Sequence, residues 1–129
     1  MRKMSQIILD ANAILRYVLD DIKEQADAVE KTLENEIVLI LPEVIAEVVY
    51  VLTKYYNQPR NTSAEHLLHF LEDADCNSIV LLNALKTFGK SNLDFVDCLL
   101  YEYAKQPGYK VLSFDKGLSK LIKGINKPS

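Results

Sequence analysis

Two acidic residues follow short apolar segments that are typical of buried strands. Asp10 comes after Ile7–Leu9, and Asp115 comes after Val111–Phe114. In an open parallel sheet, ligands bind beyond the carboxyl ends of the strands. We therefore expect Asp10 and Asp115 to lie at the same edge of a sheet, where their carboxylates could serve one reaction.

Two more acidic residues lie on predicted helices that could reach that edge. Glu47 is in the second turn after Pro42, and Asp97 is near the start of the predicted helix Leu93–Lys105. Carboxylate oxygens are the ligands that Mg²⁺ prefers in proteins. Four carboxylates gathered at one edge would therefore suit a reaction that depends on a divalent metal ion.

Each acid also has an ordinary structural explanation. An Asp after a strand is often a turn residue or a helix cap. Glu43 and Glu47, together with Tyr50 and Lys54, would form a solvated helix face. Acids near a helix start are favoured by the helix dipole without any function. The chemical interpretation therefore depends on the four acids occurring together.

The elements that must position these acids alternate between strands and helices. The segments with the apolar pattern of a strand are Gln6–Leu9, Ile37–Leu41, Ile79–Leu82 and Lys110–Phe114. Helical spacing of apolar residues predicts seven helices. Four have predicted ranges: Asn12 to about Asp20, Ile22–Leu33, Ala84–Phe88 and Leu93–Lys105. The other three are predicted by where they start: after Pro42, after a cap at Thr62 or Ser63, and after Asp115. This order predicts an α/β fold, a three-layer α/β/α domain with a central parallel sheet of four or five strands.

Composition sets limits on the class of protein. The 129 residues predict one domain, 1–129, and the net charge of −3 argues against nucleic-acid binding by charge alone. The negative net charge remains compatible with a nuclease, because metal-binding acids would themselves make the net charge more negative. Cys76 and Cys98 form no disulfide framework, so we expect two buried fillers in a protein of the cytoplasm. No apolar run is long enough for a membrane span.

The sequence around Asp10 carries a recognisable pattern. Ile8–Tyr17 contains Asp10, Asn12 and Arg16 in the spacing Asp-x-Asn-x-x-x-Arg. This segment resembles the opening signature of the PIN-domain ribonucleases, and specifically of the toxin nucleases of the VapC type. The resemblance implies a PIN-like fold over the whole chain.

The other three acids lie in segments that are similar to the later blocks of the same family. These segments are Leu41–Leu52 with Glu47, Leu93–Leu100 with Asp97, and Val111–Lys116 with Asp115. Ser113 stands where Thr is common, and keeps the hydroxyl group. The resemblance therefore covers nearly the whole chain.

The resemblance assigns the four acids to catalysis and metal binding. Asp10, Glu47 and Asp97 are expected to be the main ligands of Mg²⁺, for which Mn²⁺ would be a possible substitute. Asp115 is expected to hold a water ligand or a second ion. Such a cluster would activate water for attack on an RNA phosphodiester bond.

Four further residues receive supporting roles. Asn12 and Ser113 are expected to orient waters or substrate, and Asp94 to add negative charge one helical turn from Asp97. Arg16 could grip a substrate phosphate with its planar guanidinium group. An equally good interpretation is that Arg16 forms a salt bridge that holds an acid in place.

The function implied is that of a Mg²⁺-dependent endoribonuclease, the toxin of a toxin–antitoxin pair. The expected partners are RNA, a small antitoxin protein and a second copy in a homodimer. The alternatives are a PIN-domain nuclease of RNA processing that is not a toxin, or an inactive module that binds metal or RNA. A haloacid-dehalogenase-type phosphatase is disfavoured, because Asn12 stands where that chemistry needs a second Asp.

Apolar and aromatic residues suggest where a partner would bind. The Glu47 helix and the helix after it are predicted to carry more apolar surface than one core-facing side needs, at Val44, Ile45, Val48, Val49, Val51, Leu52, Leu67, Leu68 and Leu71. We expect a second copy or an antitoxin to cover part of it. Tyrosines such as Tyr50 could stack on RNA, but their helical spacing is more typical of core or interface residues. His66 and His69 are interpreted as surface or interface residues rather than zinc ligands.

Overall fold

The computed structural model describes residues 5–125 of the chain. Within this range the fold has two short strands and seven helices, and it is mostly helical. The strands are β1 (Gln6–Ile8) and β2 (Ile37–Leu39), and the helices are α1 (Ala11–Leu19), α2 (Lys23–Asn35), α3 (Pro42–Tyr50), α4 (Arg60–Asp73), α5 (Ile79–Lys90), α6 (Phe95–Ala104) and α7 (Lys116–Ile125).

The two strands form a parallel pair that orients the first half of the chain. Ile7 lies opposite Val38, and α1 and α2 make the connection between the strands. Parallel strands have their carboxyl ends at the same edge, so α1 and α3 both begin there. The first two predicted strands and their parallel orientation are confirmed.

The predicted strand at Ile79–Leu82 is wrong, because these residues form the first turn of α5. The Ser78 hydroxyl accepts a hydrogen bond from the Leu81 N–H at 3.2 Å and caps the helix. The apolar residues that follow have helical spacing and are buried; they are Val80, Leu81, Ala84, Leu85 and Phe88. Ile79–Leu82 and the predicted short helix Ala84–Phe88 therefore belong to one element.

The predicted strand at Lys110–Phe114 is not confirmed, since it pairs with no strand in the described range 5–125. Leu112 is 86% exposed and Phe114 is 91% exposed. The Ser113 hydroxyl accepts a hydrogen bond from the Asp115 N–H, and the Ser113 carbonyl accepts one from the Ser119 hydroxyl. These local bonds tie the segment to the start of α7, and the sheet of four or five strands is not confirmed.

The hydrophobic core lies among the helices rather than on the sheet. Helix α5 packs between α4 and α6, and α1 packs on both α2 and α3. The buried Phe70 of α4 meets the edge of the Tyr17 ring of α1, with ring centroids 5.8 Å apart. The Tyr17 hydroxyl donates a hydrogen bond to Asp73, and burial together with this bond raises the pKa of Tyr17 to about 12. The last turn of α1 is thus attached to the last turn of α4.

Helix α3 does not stop at Tyr50 but continues as a π-helical turn over Val51–Tyr55. The chain then passes through Asn57, whose φ is 54°, and reaches α4 directly after Pro59. The predicted cap at Thr62 or Ser63 is therefore wrong, because both residues lie inside α4.

Much of the apolar surface that was expected to bind a partner is used within the chain itself. The residues of this set that are buried are Ile45, Val48, Val49, Leu52, Leu67 and Leu71. Tyr50, in contrast, is 65% exposed, so of its two predicted roles, core or interface, the core role is wrong and the interface role stays a prediction. His66 and His69 are exposed, Cys98 is buried and Cys76 is half-buried.

Across residues 5–125, none of the helices has both the length and the apolar character needed to cross a membrane.

Candidate functional site

The first turn of α6 brings three of the predicted acids into electrostatic contact. Asp97 lies in this turn, half-buried, and Asp94 occupies the N-cap position, where its side chain makes no capping hydrogen bond. Burial raises the pKa of Asp97, and the negative charges of Asp115 and Asp94 raise it further. Asp97 is therefore near both of these carboxylates, although Asp115 comes from a distant segment. A site that concentrates negative charge in this way attracts a cation.

Asp10 lies at the carboxyl end of β1, as predicted, and caps α1. Its Oδ1 accepts a hydrogen bond from the Ala13 N–H at 2.8 Å. This is the ordinary role considered for an Asp after a strand. The cap involves one carboxylate oxygen, and the side chain is exposed at the edge of the sheet.

Asp115 caps α7 in the same way that Asp10 caps α1. Its Oδ2 accepts a hydrogen bond from the Leu118 N–H at 2.8 Å, and its own N–H donates to the Ser113 hydroxyl at 3.0 Å. Because α7 packs against α6, this cap holds the carboxylate near Asp97. Ser113 fixes the backbone at Asp115, which is a local role.

Glu47 is exposed on α3, and α3 packs against both α1 and α6. Its helix therefore lies between the helices that begin near Asp10 and Asp97. Neither Asp10 nor Glu47 is among the charges that raise the pKa of Asp97. The structure thus groups Asp94, Asp97 and Asp115, and leaves Asp10 and Glu47 outside this electrostatic group.

Arg16 forms a salt bridge with Asp21, with Nη1 and Oδ2 3.0 Å apart. Its side chain is 14% exposed, and its buried Nε has no hydrogen-bond partner. The salt-bridge interpretation therefore applies to Arg16, but with Asp21 rather than with one of the four acids. Asn12 is exposed on α1.

The donor chemistry of the site fits a hard divalent cation. The side chains near Asp97 are carboxylates, and carboxylate oxygens suit Mg²⁺. Within the described range, no three Asp, Glu, His or Cys side chains are close enough to enclose a metal ion by themselves. Mg²⁺ commonly keeps several waters and binds through one or two carboxylates, so this spacing is compatible with it.

Sequence reasoning missed Arg60, which holds the loop before α6 in place. Its Nε donates to the Phe88 carbonyl at 3.2 Å and its Nη2 donates to the Leu93 carbonyl. The guanidinium group also lies over the Phe88 ring, 3.7 Å from its centroid. Phe88 lies before the loop and Leu93 lies near its end. The two hydrogen bonds from Arg60 therefore hold the loop, and the loop positions the start of α6, which carries Asp97. Only its position after Pro59 at a helix start was visible in the sequence.

We expect Arg60→Lys to lower any Asp97-dependent activity by roughly ten- to a hundredfold, because small displacements of reacting groups are costly. A lysine ammonium has no planar fork with which to reach both carbonyls. The measurement is the initial rate of the Asp97-dependent reaction, with thermal melting recorded in parallel. A rate equal to that of the native chain would contradict a positioning role for Arg60.

A groove of about 560 Å³ opens beside Asp97. We call it the α3–α6 groove. Its lining residues are Ala46, Val49, Tyr50, Thr53, Lys54, Gln58, Pro59, Arg60, Phe88, Asp94, Phe95, Val96 and Asp97. One wall is therefore formed by α3 and its π-helical turn, and the other is formed by the start of α6 with the acids Asp94 and Asp97. A ligand in this groove would reach Asp97 directly.

Comparison with protein-family models gives a match. A family model described as PIN domain matches residues 7–123, which include every acid described above. Neither the curated proteins nor the solved structures gave a match.

Proposed function

Because the chain belongs to the PIN-domain family, whose members are generally metal-dependent nucleases that act on RNA, we propose that it is a Mg²⁺-dependent endoribonuclease. Mn²⁺ is the expected substitute for Mg²⁺. The α/β class follows from the family, although the described residues form a mostly helical variant of it with a two-stranded sheet.

The structural observation that supports this proposal best is the α3–α6 groove, whose lining includes both Asp94 and Asp97. Burial and the carboxylates of Asp115 and Asp94 together disfavour the charged form of Asp97. A group with such a perturbed pKa in a cleft, surrounded by like charges, is typical of a functional site rather than of a helix cap. The α3–α6 groove gives this carboxylate access to a ligand.

In the proposed mechanism Asp10, Glu47 and Asp97 would hold Mg²⁺, and Asp115 would hold a water. Because no three of these side chains enclose an ion by themselves in the described range, some of them would act through water ligands of the ion. When bound, Mg²⁺ would supply an activated water and neutralise charge on the leaving oxygen of the phosphodiester. Asp94 adds negative charge beside Asp97 and so raises the affinity for a cation.

The remaining residues orient the reactants. Asn12 and Ser113 would orient waters or substrate by hydrogen bonds. Arg16 would contact a substrate phosphate only if its salt bridge with Asp21 opens. The proposal therefore gives Arg16 a weaker role than the acids.

We further propose that the enzyme is a VapC-type toxin of the cytoplasm that forms a homodimer and is inhibited by a small antitoxin. The supporting evidence is the order and context of the acids in the matched region. A short neighbouring reading frame that encodes a DNA-binding antitoxin, and whose product restores growth, would support this role. Growth that is unaffected by expression of the chain would contradict it.

The direct test compares RNA ends in cells that express either the native chain or Asp10→Asn. Asn also caps helices well, so this change keeps the local fold and removes the charge. We expect new RNA ends with the native chain, and loss of those ends with the variant. Identical ends in both would contradict the nuclease assignment and favour an inactive binding module.

A further inference from the structure

We propose that Tyr50 and Lys54 bind single-stranded RNA in the α3–α6 groove, Tyr50 by stacking on a base and Lys54 by contact with a phosphate. This inference rests on the proposed nuclease function, and it assigns a substrate form and two binding residues to that site.

The first support is the position of the two residues. Ala46, Val49, Tyr50, Thr53 and Lys54 recur at steps of three and four, so they form one continuous face of α3 and its π-helical turn. The opposite wall of the same groove carries Asp94 and Asp97. A strand lying along this face would therefore pass beside Asp97.

The second support is the state of the two side chains. Tyr50 is 65% exposed, and its ring contacts no other aromatic ring in the described part of the chain. Lys54 is exposed, and no salt bridge within residues 5–125 involves it. An aromatic ring and a cation on the wall of a groove are the usual elements of binding to unpaired nucleic acid.

The third support is the charge of the groove. The net charge of −3 and the two acids of α6 would repel a phosphate backbone, so the contact must come from local groups. Arg60 is committed to the Phe88 and Leu93 carbonyls, which leaves Lys54 as the exposed cation on this wall. Base stacking does not depend on charge, and it would supply affinity where the backbone alone is repelled. Stacked bases of a duplex offer no free face, so the occupant is single-stranded.

The test measures the binding of a labelled single-stranded RNA of mixed sequence, in Mg²⁺, to variants made in an Asp97→Asn background that limits cleavage. We expect Tyr50→Ala to weaken binding by about 5- to 150-fold, and Tyr50→Phe to retain it, because Phe keeps the stacking face. Lys54→Ala should reduce the slope of log affinity against log salt by about 0.7, the value for one phosphate contact on a single strand.

The matched controls are Tyr55→Ala and Lys31→Ala. Tyr55 is exposed in the π-helical turn that follows Tyr50 but does not line the groove, and Lys31 is exposed on α2. Both variants should bind RNA as the background protein does. A duplex of the same sequence should bind more weakly and respond little to Tyr50→Ala.

Two results would overturn the inference: RNA binding that is unchanged in Tyr50→Ala, or binding that is weakened equally in Tyr55→Ala. Either result would favour a peptide partner as the occupant of the groove. If Asp97→Asn abolishes cleavage while Tyr50→Ala binds normally, only this inference fails. If Tyr50→Ala loses binding while Asp97→Asn cleaves like the native chain, this inference stands and the assigned nuclease site is wrong.

Discussion

Cleavage of RNA by Asp97→Asn is expected to be slower than that of the native chain by about a hundredfold or more. The substitution keeps the shape of the side chain and removes one charged oxygen. Metal-assisted stabilisation of a phosphodiester transition state is worth several kcal/mol, and each 1.36 kcal/mol is about a tenfold change in rate. The neighbouring carboxylates Asp115 and Asp94 raise the pKa of Asp97, so we expect the loss to be largest there. The measurement is single-turnover cleavage of a labelled RNA in Mg²⁺.

Helix capping and metal binding can be separated at Asp10 and Asp115. Both acids cap helices, and Asn is as good a cap as Asp. Asp10→Asn and Asp115→Asn should therefore remain folded, and a loss of cleavage in either would report metal binding. Asp27→Asn, in an exposed salt bridge of α2, is the control and should cleave normally.

Stability provides a second measurement on Asp97→Asn. The raised pKa means that folded Asp97 binds protons more tightly than it does in the unfolded chain. Stability without metal therefore falls as the pH rises from the unfolded carboxylate range through the folded pKa. Asp97→Asn lacks this loss, so with EDTA at neutral pH it should melt no lower than the native chain. Mg²⁺ at a hundred times its dissociation constant should stabilise the native chain by about 2.7 kcal/mol, and the variant by less. Equal responses to Mg²⁺ would mean that Asp97 does not bind the metal.

Replacing Phe70 with Ala should lower the free energy of unfolding by about 3–5 kcal/mol. Phe70 is 1% exposed and meets the Tyr17 ring, so truncation leaves a cavity between α1 and α4. Domains are typically stable by only about 5–15 kcal/mol, so this single change would remove a large part of the total. Urea denaturation followed by circular dichroism measures it.

The matched control is Phe114→Ala, the same substitution at a side chain that is 91% exposed. It should change stability by less than about 0.5 kcal/mol. A cost at Phe114 as large as that at Phe70 would show that Phe114 is covered in solution. The segment Lys110–Phe114 would then be paired or part of an interface.

Local patterns in the sequence predict much of this fold. The apolar run before Asp10, Pro42 at a helix start and the apolar spacing in Leu93–Lys105 each determine an element from neighbouring residues, and β1, α3 and α6 lie where these patterns predict them. Ile79–Leu82 taken alone has the apolar pattern of a strand, and this prediction is wrong because Ser78 caps a helix there. With Ser78 as the cap, the apolar residues that follow form one helical pattern.

Features that depend on distant residues could not be predicted in this way. Whether Lys110–Phe114 forms a strand depends on whether the folded chain places the edge of another strand beside it. The role of Arg60 depends on carbonyls about thirty residues further along the chain. The four acids were identified by their resemblance to a family, whereas the proximity of Asp97 to Asp115 is a property of the packed helices.

The parallel pairing of β1 with β2 has a consequence for the order of folding. Helices α4, α5 and α6 each pack on the next helix along the chain, so their contacts close short loops. Pairing Gln6 with Ile37 closes a longer loop and forms only a few hydrogen bonds between two short strands. We therefore expect this pairing to form later and more slowly than the contacts between these helices. Asp10 would then join the helices that carry Asp97 and Asp115 near the end of folding.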